Sequence, residues 1–290
     1  MSAGPASDAP RAADGDGFSD ALTYSFGDPV AGLYGVARLG LADGRASGLA
    51  IVFGDGMPIA VAADGGVEAD ASSWDDVRAA GLRSTTVTPL TAWQLRFDGE
   101  TPFELTFEAT SPAFELAPAN PAAVAGGMQG FDQVCRVRGS VGGAPFDGLG
   151  QRGRSWGAPD WERMTLARTV SAWLDAEHAV SLVAVRPAGS DDHGGEALAT
   201  FHFDGDRANT PVREVAVARL STTYDGERRQ QSAGIELYVD PDDEVAHRLA
   251  GEVVAGTSLD LGRLRLHCAF FRWRMEGRVG VGRYDVLERI

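Results

Sequence analysis

Lysine is missing from this sequence: all 26 basic residues are arginine, against 41 acidic residues, which gives a formal net charge of −15. Without a lysine amine, the chain cannot form the lysine Schiff bases that some enzymes use in covalent catalysis. Proteins that bind nucleic acid or anionic membranes need a basic patch and the counterion release that it brings. We therefore expect neither nucleic acid nor a charged membrane surface as a partner.

Cysteine and long apolar runs are also scarce. Cys135 and Cys268 are too few for a disulfide framework in 290 residues, and they fit buried thiols in a reducing compartment. No apolar run approaches the ~20 residues of a membrane-spanning helix, so no integral membrane segment is expected. Residues 1–17 are rich in Ala, Gly, Asp and Ser and lack the apolar stretch of a signal peptide, which predicts a disordered leader. The sequence thus indicates a cytoplasmic protein.

Recognisable metal and cofactor motifs are absent as well. No Gly-rich phosphate loop precedes a helical pattern, and no Gly-x-Ser-x-Gly elbow occurs. The histidines show no His-x-His or His-x-x-x-His pair that would mark a zinc site. They are His178, His193, His202, His247 and His267. We expect no metal site and no cofactor.

The sequence is rich in alternating apolar and polar residues, which is typical of half-buried strands. Residues 93–98 and 103–108 alternate on either side of a turn-rich link, which predicts a hairpin. Helical spacing is weak and confined to residues 73–80 and 242–250. Many short strands with close turns indicate an all-β sandwich or barrel, and the length favours two domains. The other predicted strands span 30–40, 47–53, 133–141, 181–186, 196–203, 213–220, 234–239, 263–275 and 279–287.

The two halves of the chain end in a similar pattern. Residues 134–139 are followed, after a turn, by Gly-Leu-Gly-Gln-Arg at 148–152, and residues 268–277 are followed by Gly-Val-Gly-Arg-Tyr at 280–284. Glycines weaken a strand unless a bend or a close backbone approach requires them, and barrel strands need such bends. We predict that each half closes with a hairpin whose last strand carries Gly-x-Gly.

The densest local motif is Gly-Leu-Gly-Gln-Arg-Gly-Arg-Ser-Trp-Gly-Ala-Pro-Asp-Trp at residues 148–161. If its first nine residues are extended, Arg152, Arg154 and Trp156 share one face, and Gln151 lies on the other. A guanidinium stacked on an indole beside a carboxylate forms a rigid cluster. Such a cluster either lines a ligand pocket or serves as a structural clamp at a domain junction.

This motif resembles the signature of the tandem lipocalin-like superfamily typified by carotenoid 1,2-hydratase (hydroxyneurosporene synthase), especially its bacterial members of unassigned function. In that family a Gly-x-Gly-x-Arg-Asp-x-Ser-Trp-Gly-x-x-Asp-Trp string ends the first half. The resemblance implies two antiparallel β-barrels packed side by side, with a cavity for a long apolar ligand. On this basis we expect barrels at residues 18–160 and 161–290. Further similarity lies at residues 28–35, 93–99, 132–133 and 277–284.

The sequence departs from that family at two motif positions. The hydratase branch has a tyrosine and an aspartate, regarded as the acid, where this chain has Gln151 and Gly153. Neither an amide nor a missing side chain can protonate an alkene, so hydration by that mechanism is not expected. The residues that match the motif are Arg152, Ser155, Trp156, Gly157, Asp160 and Trp161.

Another carboxylate has to replace the missing acid if the chain is an enzyme. A carboxyl group that faces an apolar cavity suits general acid catalysis, because burial disfavours its charged form. Asp160 is our candidate catalytic residue, ahead of Asp132, Glu162, Asp175 and Glu236. Aromatic faces suit a polyene or a cation, although such residues also pack ordinary cores. The residues expected to bind substrate are Gln151, Arg152, Arg154, Trp156, Trp161, Trp173, Tyr238 and Trp273.

Two classes of function are compatible with an apolar barrel cavity. The first is a cofactor-independent cyclase, isomerase or hydro-lyase that acts on an isoprenoid or polyketide-like polyene by positioning and electrostatic stabilisation. The second is a non-catalytic carrier of a lipid or terpenoid, since an eight-stranded barrel holds one small ligand. Barrels filled by their own side chains would instead make a scaffold without a ligand.

Overall fold

The protein is described from a computed structural model, which covers residues 4–12, 14–69, 72–190, 193–207 and 209–290. Strands dominate these residues and form two antiparallel sheets that curl into barrels, which confirms the predicted all-β class. The chain divides into two compact units, Met1–Glu115 with Met128–Pro159 and Leu116–Gly127 with Asp160–Ile290. This division differs from the expected one at residues 116–127 and at Asp160.

The first unit is built on one antiparallel sheet. Its strands are β1 (Ser19–Asp28), β2 (Leu33–Ala42), β3 (Arg45–Gly54), β4 (Met57–Glu68), β5 (Arg78–Ala79), β6 (Leu82–Thr88), β7 (Ala92–Phe97), β8 (Phe103–Ala109), β9 (Phe114–Leu116), β10 (Met128–Val141) and β11 (Ala144–Gly157). They lie in the order β4-β3-β2-β1-β11-β10-β8-β7-β6-β5, with β9 paired to β10. The curled sheet brings β3 against β5, where Gly48 approaches the carbonyl of Ala79 so closely that a Cβ would lie 2.5 Å from its oxygen.

The second unit repeats this arrangement. It contains the helix α1 (Pro121–Gly126) and the strands β12 (Met164–Trp173), β13 (His178–Pro187), β14 (Ala197–Asp204), β15 (Val212–Glu214), β16 (Val217–Tyr224), β17 (Gln230–Tyr238), β18 (His247–Leu261), β19 (Leu264–Met275) and β20 (Arg278–Arg289). The strand order is β15-β14-β13-β12-β20-β19-β18-β17-β16. Because β12 and β20 hold the central places that β1 and β11 hold in the first sheet, the two halves share one topology.

The short helix α1 explains why residues 116–127 belong to the second unit. The Asn120 side chain caps it by accepting a hydrogen bond from the backbone of Ala122 at 2.9 Å, and Gly127 ends it in the left-handed region at φ 63°. The helix packs on β13 and β14, with Gly126 against Val185. Its contacts therefore tie this segment to the later half of the chain.

Each unit has its own apolar core, formed by one face of its strands. In β7, for example, Trp93, Leu95 and Phe97 are buried, and the residues between them are more exposed. The first core also includes Leu22, Tyr24, Phe26, Phe103, Phe107 and Val137. The second is formed by Val170, Leu182, Leu237, Phe271, Trp273 and others. Among the described helices, none has the length and apolarity that crossing a membrane requires.

The predicted terminal hairpins are confirmed in both halves. Strand β10 pairs with β11 along its whole length, and β19 pairs with β20 in the same way. A Cβ on Gly150 of β11 would overlap the carbonyl oxygen of Ser25, and a Cβ on Gly282 of β20 would overlap that of Ser171. The glycines thus allow the close backbone approach that the sequence pattern suggested.

The helix predicted at residues 242–250 is wrong. This segment forms a turn at Asp240–Asp243, and β18 begins at His247. Leu249 and Gly251 are buried while Arg248, Ala250 and Glu252 are exposed, so the spacing is that of a strand. Pairing with both β17 and β19 satisfies the backbone there, which outweighs a weak local helical preference.

Part of the expected leader has a defined conformation, in contrast to the predicted disorder. Residues Pro5–Asp8 form a single 3-10 turn, and Asp8 is only 6% exposed. The backbone N–H of Arg11 donates to the Asp20 carboxylate at 2.8 Å. Composition alone indicated disorder because it carries no information about ion pairs to distant residues.

Candidate binding site inside the first barrel

The register between β1 and β11 places two arginines inside the first barrel. Tyr24 lies directly opposite Arg152, and Leu22 lies opposite Arg154. Paired residues of neighbouring antiparallel strands project from the same face of the sheet. Since Leu22 and Tyr24 belong to the apolar core, both guanidinium groups project into the interior.

Arg152 is buried, with 1% of its surface exposed. Its guanidinium forms an ion pair with the carboxylate of Asp8. Its Cζ lies 4.7 Å from the ring centre of Trp93 and 5.3 Å from that of Phe131. A buried charge needs a counterion, and the aromatic faces add cation–π attraction. Asp8 therefore anchors the amino-terminal segment to β11.

Arg154 has a similar environment. Its Nη1 lies 2.8 Å from Asp20 Oδ1, and its Nη2 donates to the carbonyl oxygen of Ala9 at 2.9 Å. Its Cζ lies 4.9 Å from the ring centre of Trp74. Burial lowers the pKa of Arg154 to about 10, although Asp20 opposes this effect. The side chain is thus still a cation at neutral pH.

Tyr24 adds a neutral hydroxyl to this interior. Its Oη and the Oγ of Ser84 are 2.8 Å apart in a buried hydrogen bond. Burial raises the pKa of Tyr24, while the nearby Arg152 opposes the shift. At neutral pH the phenol therefore keeps its proton and remains able to donate it.

Several buried N–H groups around these residues have no hydrogen-bond partner among the described residues. They are Nε and Nη1 of Arg152, whose guanidinium also interacts with the Tyr24 hydroxyl, and the indole Nε1 atoms of Trp74 and Trp93. Buried donors are normally paired, so each exception calls for an explanation such as a ligand or a water. The interior is consequently rich in donors and suited to an oxygen acceptor.

Of the remaining candidates on the motif strand, Gln151 lies apart from this cluster and Trp156 lies at its edge, with its ring centre 6.3 Å from that of Phe131. Gln151 is buried on the opposite face of β11, opposite Ser25 and Val134. Trp156 is only partly buried at the end of the strand, where the guanidinium of Arg11 lies 3.7 Å from its ring centre. Of the four motif candidates in β11, only Arg152 and Arg154 reach the buried interior.

Asp160, the candidate acid, lies in an exposed turn between β11 and β12. Its carboxylate accepts a hydrogen bond from the backbone N–H of Glu162 at 2.9 Å. The carbonyl oxygen of Trp161 accepts one from Arg289 at 2.8 Å. These contacts describe a turn, and Asp160 lacks the burial on which its candidacy as an acid depended.

Gly153, where the resembling family has its acid, lies beside a carboxylate from the next strand. Asp132 is directly opposite it on β10, and a Cβ on Gly153 would lie 2.5 Å from Asp132 Oδ1. The glycine thus makes room for this carboxylate on the face of β11 that points away from Arg152. Asp132 is the candidate carboxylate that comes nearest to the missing acid.

The other predicted site residues belong to the second unit. Trp173 is fully buried at the end of β12, and Trp273 is fully buried in β19 with its ring stacked 5.2 Å from that of Phe271. Tyr238 is half-buried on β17, with the Arg219 guanidinium 5.6 Å from its ring centre. Trp273 belongs to the second apolar core.

The second barrel contains a related arginine–tyrosine pair. Arg168 on β12 forms an ion pair with Glu196, and its Nη1 donates to the Tyr284 hydroxyl at 3.4 Å. That hydroxyl is 2.7 Å from Thr222 Oγ1, and burial raises the pKa of Tyr284 to about 12. Each barrel thus combines an arginine with a tyrosine inside its core.

Sequence reasoning missed several members of the first cluster. Leu22, Tyr24 and Phe26 follow the i, i+2, i+4 spacing of a strand, a usable signal for β1. Trp93 lay inside a predicted strand at an apolar position. No local signal identifies Asp8, because its partner Arg152 is 144 residues away.

Structural comparison finds the same architecture in solved proteins of low sequence identity. Kievitone hydratase from Nectria haematococca matches with a TM-score of 0.61 and 12% identity, over 94% of this chain and 89% of that one. An AttH-like protein from Nitrosomonas europaea matches with a TM-score of 0.69 and 11% identity, over 93% and 92%. CghA matches with a TM-score of 0.60 and 13% identity, over 94% and 88%. The expected tandem lipocalin-like barrels are thereby confirmed.

Sequence comparison gives a family without an activity. The family model described as "Domain of unknown function (DUF7064)" matches residues 4–290. No curated protein matches the sequence.

Proposed function

The chain belongs to the DUF7064 family, whose function is unknown. We propose that the first barrel of this chain binds a largely apolar small molecule that carries an oxygen acceptor. We further propose that the protein converts this molecule without a cofactor. The reaction class is cyclisation, isomerisation or hydration of an isoprenoid or polyketide-like polyene. The observation that carries the proposal is the group of unpaired buried donors around Arg152 and Tyr24.

The apolar part of the ligand is matched by the aromatic lining of this barrel. Tyr24, Phe26 and Phe107 pack edge to face, with ring centres 4.9–6.4 Å apart. Aromatic rings of this kind bury large apolar area, and their packing forms the apolar surroundings that we propose for a conjugated chain. A ligand without any polar group would leave the donors unpaired, which costs free energy.

The donors also indicate which charge a reaction here would develop. N–H groups and a permanent guanidinium stabilise negative charge on oxygen, as in an oxyanion hole, and they do not favour a carbocation. The protonated phenol of Tyr24 is the group that can transfer a proton to such an oxygen or its conjugate carbon. We therefore favour activation of a carbonyl-bearing polyene over protonation of an unactivated alkene.

The structural relatives support this proposal at the level of the fold. One of them is named a hydratase, and CghA has also been solved with the compound Sch210972. The CghA complex matches this chain with 13% identity and a TM-score of 0.58. Tandem barrels of this type therefore include proteins that hold small molecules, and we extend that role to this chain.

The test compares the binding of two probes with the same kind of isoprenoid chain. Farnesal carries a carbonyl oxygen, and farnesene is a hydrocarbon without one. We expect farnesal to quench tryptophan fluorescence saturably and to bind at least ~10-fold more tightly, since one hydrogen bond to a charged donor is worth ~1.5–3 kcal/mol. Because the chain has no lysine, farnesal cannot form a Schiff base with a side chain, and covalent attachment of that kind cannot be mistaken for binding in the site. Equal affinity for both probes would contradict the donor-based site.

Conservative variants locate the site. Tyr24→Phe removes the hydroxyl and keeps the ring, and Trp93→Phe replaces the indole with a smaller ring that lacks the N–H, so both should weaken farnesal binding more than farnesene binding. Tyr284→Phe is the matched control, because it removes a buried tyrosine hydroxyl beside an arginine in the second unit. Mass spectrometry of the incubated farnesal separates an enzyme, which yields a product of altered mass or retention time, from a carrier, which returns the probe unchanged.

A further inference from the structure

A cluster of metal-ligating side chains lies at one end of the second barrel. Register pairing places His178 of β13 directly opposite Asp204 of β14, and Asp206 follows in the next turn. The Nε2 atom of His178 lies 3.6 Å from Asp204 Oδ1 and 3.5 Å from Asp206 Oδ2. One ligand atom from each residue lies within 4.8 Å of the others, which is close enough for one ion to contact all three.

The His178 ring is oriented as metal-bound histidines commonly are. Its Nδ1 is hydrogen-bonded to Asp175, at 2.8 Å from Oδ1 and 3.0 Å from Oδ2. A carboxylate on one ring nitrogen fixes the tautomer and leaves the lone pair of the other nitrogen for a metal. Here that second nitrogen is Nε2, which faces the two aspartates.

An independent observation comes from His202. It precedes Asp204 by two residues on β14, so both side chains project from the same face. A cavity of about 160 Å³ is lined by His202 together with His178, Asp204 and Asp206. His202 is only 7% exposed, and its Nδ1 has no hydrogen-bond partner among the described residues. His247 lies alongside, with the two ring centres 5.8 Å apart. A buried imidazole nitrogen without a partner, on the same strand face as Asp204 and lining the same cavity as the three clustered residues, fits a further metal ligand.

We propose that His178, His202, Asp204 and Asp206 bind one divalent transition-metal cation, with zinc as the best match. Two imidazoles and two carboxylates supply the four nitrogen and oxygen donors that zinc takes in tetrahedral sites. Imidazole ligands favour zinc, copper and nickel over calcium and magnesium, which prefer all-oxygen sites. Asp175 is a positioning residue that holds the His178 ring.

Three arginines also line this cavity, and two of them contact the proposed ligands, where they would compete with a metal ion. Arg278 Nη2 lies 3.0 Å from His178 Nε2 and donates to it, and Arg207 Nε lies 3.0 Å from Asp204 Oδ2. Arg213 is paired with Asp240 at 2.8 Å. Arg278 has to move when a metal binds, because both occupy the lone pair of the same nitrogen. Its removal should strengthen metal binding.

The experiment titrates ZnCl2 into tag-free full-length protein, treated with EDTA and dialysed, by isothermal titration calorimetry. We expect one ion per chain, and weaker binding of CaCl2 and MgCl2. Asp206→Asn and His202→Gln should each weaken zinc binding by at least ~10-fold, and Asp175→Asn by roughly 10–100-fold. Asp206 is exposed, so its variant is expected to fold normally. Asp98→Asn changes an exposed aspartate of the first unit and is the matched control.

The Arg278→Gln variant separates a metal site from an ordinary ion-pair network. A metal site predicts tighter zinc binding in this variant, whereas a network without a metal role predicts no zinc binding in either form. Absence of saturable zinc binding would overturn the proposal, as would binding that Asp206→Asn and His202→Gln leave unchanged. Circular dichroism of each variant checks that the barrels remain folded.

Discussion

Two buried guanidinium groups dominate the residue scale of this molecule. Arg152 and Arg154 are almost completely shielded from water, and each has one carboxylate partner, Asp8 and Asp20. Burying a charge is costly unless it is paired, so these carboxylates are required by the arginines. The motif strand predicted that the two arginines share one face, but one carboxylate partner comes from a segment whose composition suggested disorder.

Loss of the Asp8 charge should destabilise the protein through Arg152. We expect Asp8→Asn to lower the free energy of unfolding by about 3 kcal/mol, because removal of one partner leaves a buried charge uncompensated. Urea denaturation followed by tryptophan fluorescence measures the change, since Trp93 lies against Arg152.

Asp16→Asn is the control for this prediction. Asp16 is exposed in the same segment, and its loss should change the free energy of unfolding by less than about 0.5 kcal/mol. Equal stability of Asp8→Asn and the unmodified protein would mean that the Asp8 contact is dispensable and that the segment does not anchor to β11.

At the scale of elements, the glycines of β11 and β20 decide how closely the central strands approach. Sequence analysis predicted both hairpins and the reason for their glycines. Strands β1, β4, β5, β6, β9 and β12 were not predicted, although β1 carries a clear alternation, and a helix was predicted where β18 begins. Strands that are short, such as β5 and β9, or that have weak patterns are defined by their neighbours, because pairing partners satisfy the backbone wherever they come from.

A methyl group at Gly282 should disrupt the pairing of β12 with β20. A Cβ there would overlap the carbonyl oxygen of Ser171, which is backbone and cannot rotate away. We expect Gly282→Ala to lower the free energy of unfolding by about 2–3 kcal/mol or to prevent folding. Thermal denaturation by circular dichroism measures the loss.

Gly226→Ala is the matched substitution at a glycine where a Cβ meets nothing within 4 Å. It should leave the melting temperature nearly unchanged. A Gly282→Ala protein as stable as Gly226→Ala would show that β12 and β20 can separate without cost, contrary to the tight contact described here.

On the scale of the whole molecule, each compact unit has one buried thiol. Cys135 lies in the first core and Cys268 in the second unit, and both are unoxidised. Burial raises the pKa of Cys135 from 9.0 to about 12, and it raises that of Cys268 well above its usual value. Reactivity requires a thiolate with access to solvent, so both groups are protected in the folded state.

These thiols should report unfolding of the two units separately. At about pH 8 we expect Ellman's reagent to find no reactive thiol in the native protein and two in guanidinium chloride. Cys135→Ala and Cys268→Ala assign each reaction to its unit. Rapid reaction of either thiol under native conditions would contradict its burial.

The same burial predicts a pH dependence of stability. Since Cys135 keeps its proton in the native state at pH values where the unfolded thiol loses it, the free energy of unfolding should fall as pH rises between about 9 and 12.

Alternation of apolar and polar residues, the spacing of Gly-x-Gly in each half and the positions of Arg152 and Arg154 are local properties. The sequence alone therefore determined the all-β class, the two closing hairpins and the shared strand face of the two arginines, while the tertiary structure decided that this face points inward. Partners far apart in the chain, such as Asp8 with Arg152 or His178 with Asp204, were decided only by the tertiary structure. Strand register brings such residues together, and no pattern within a single strand records which distant strand will lie beside it.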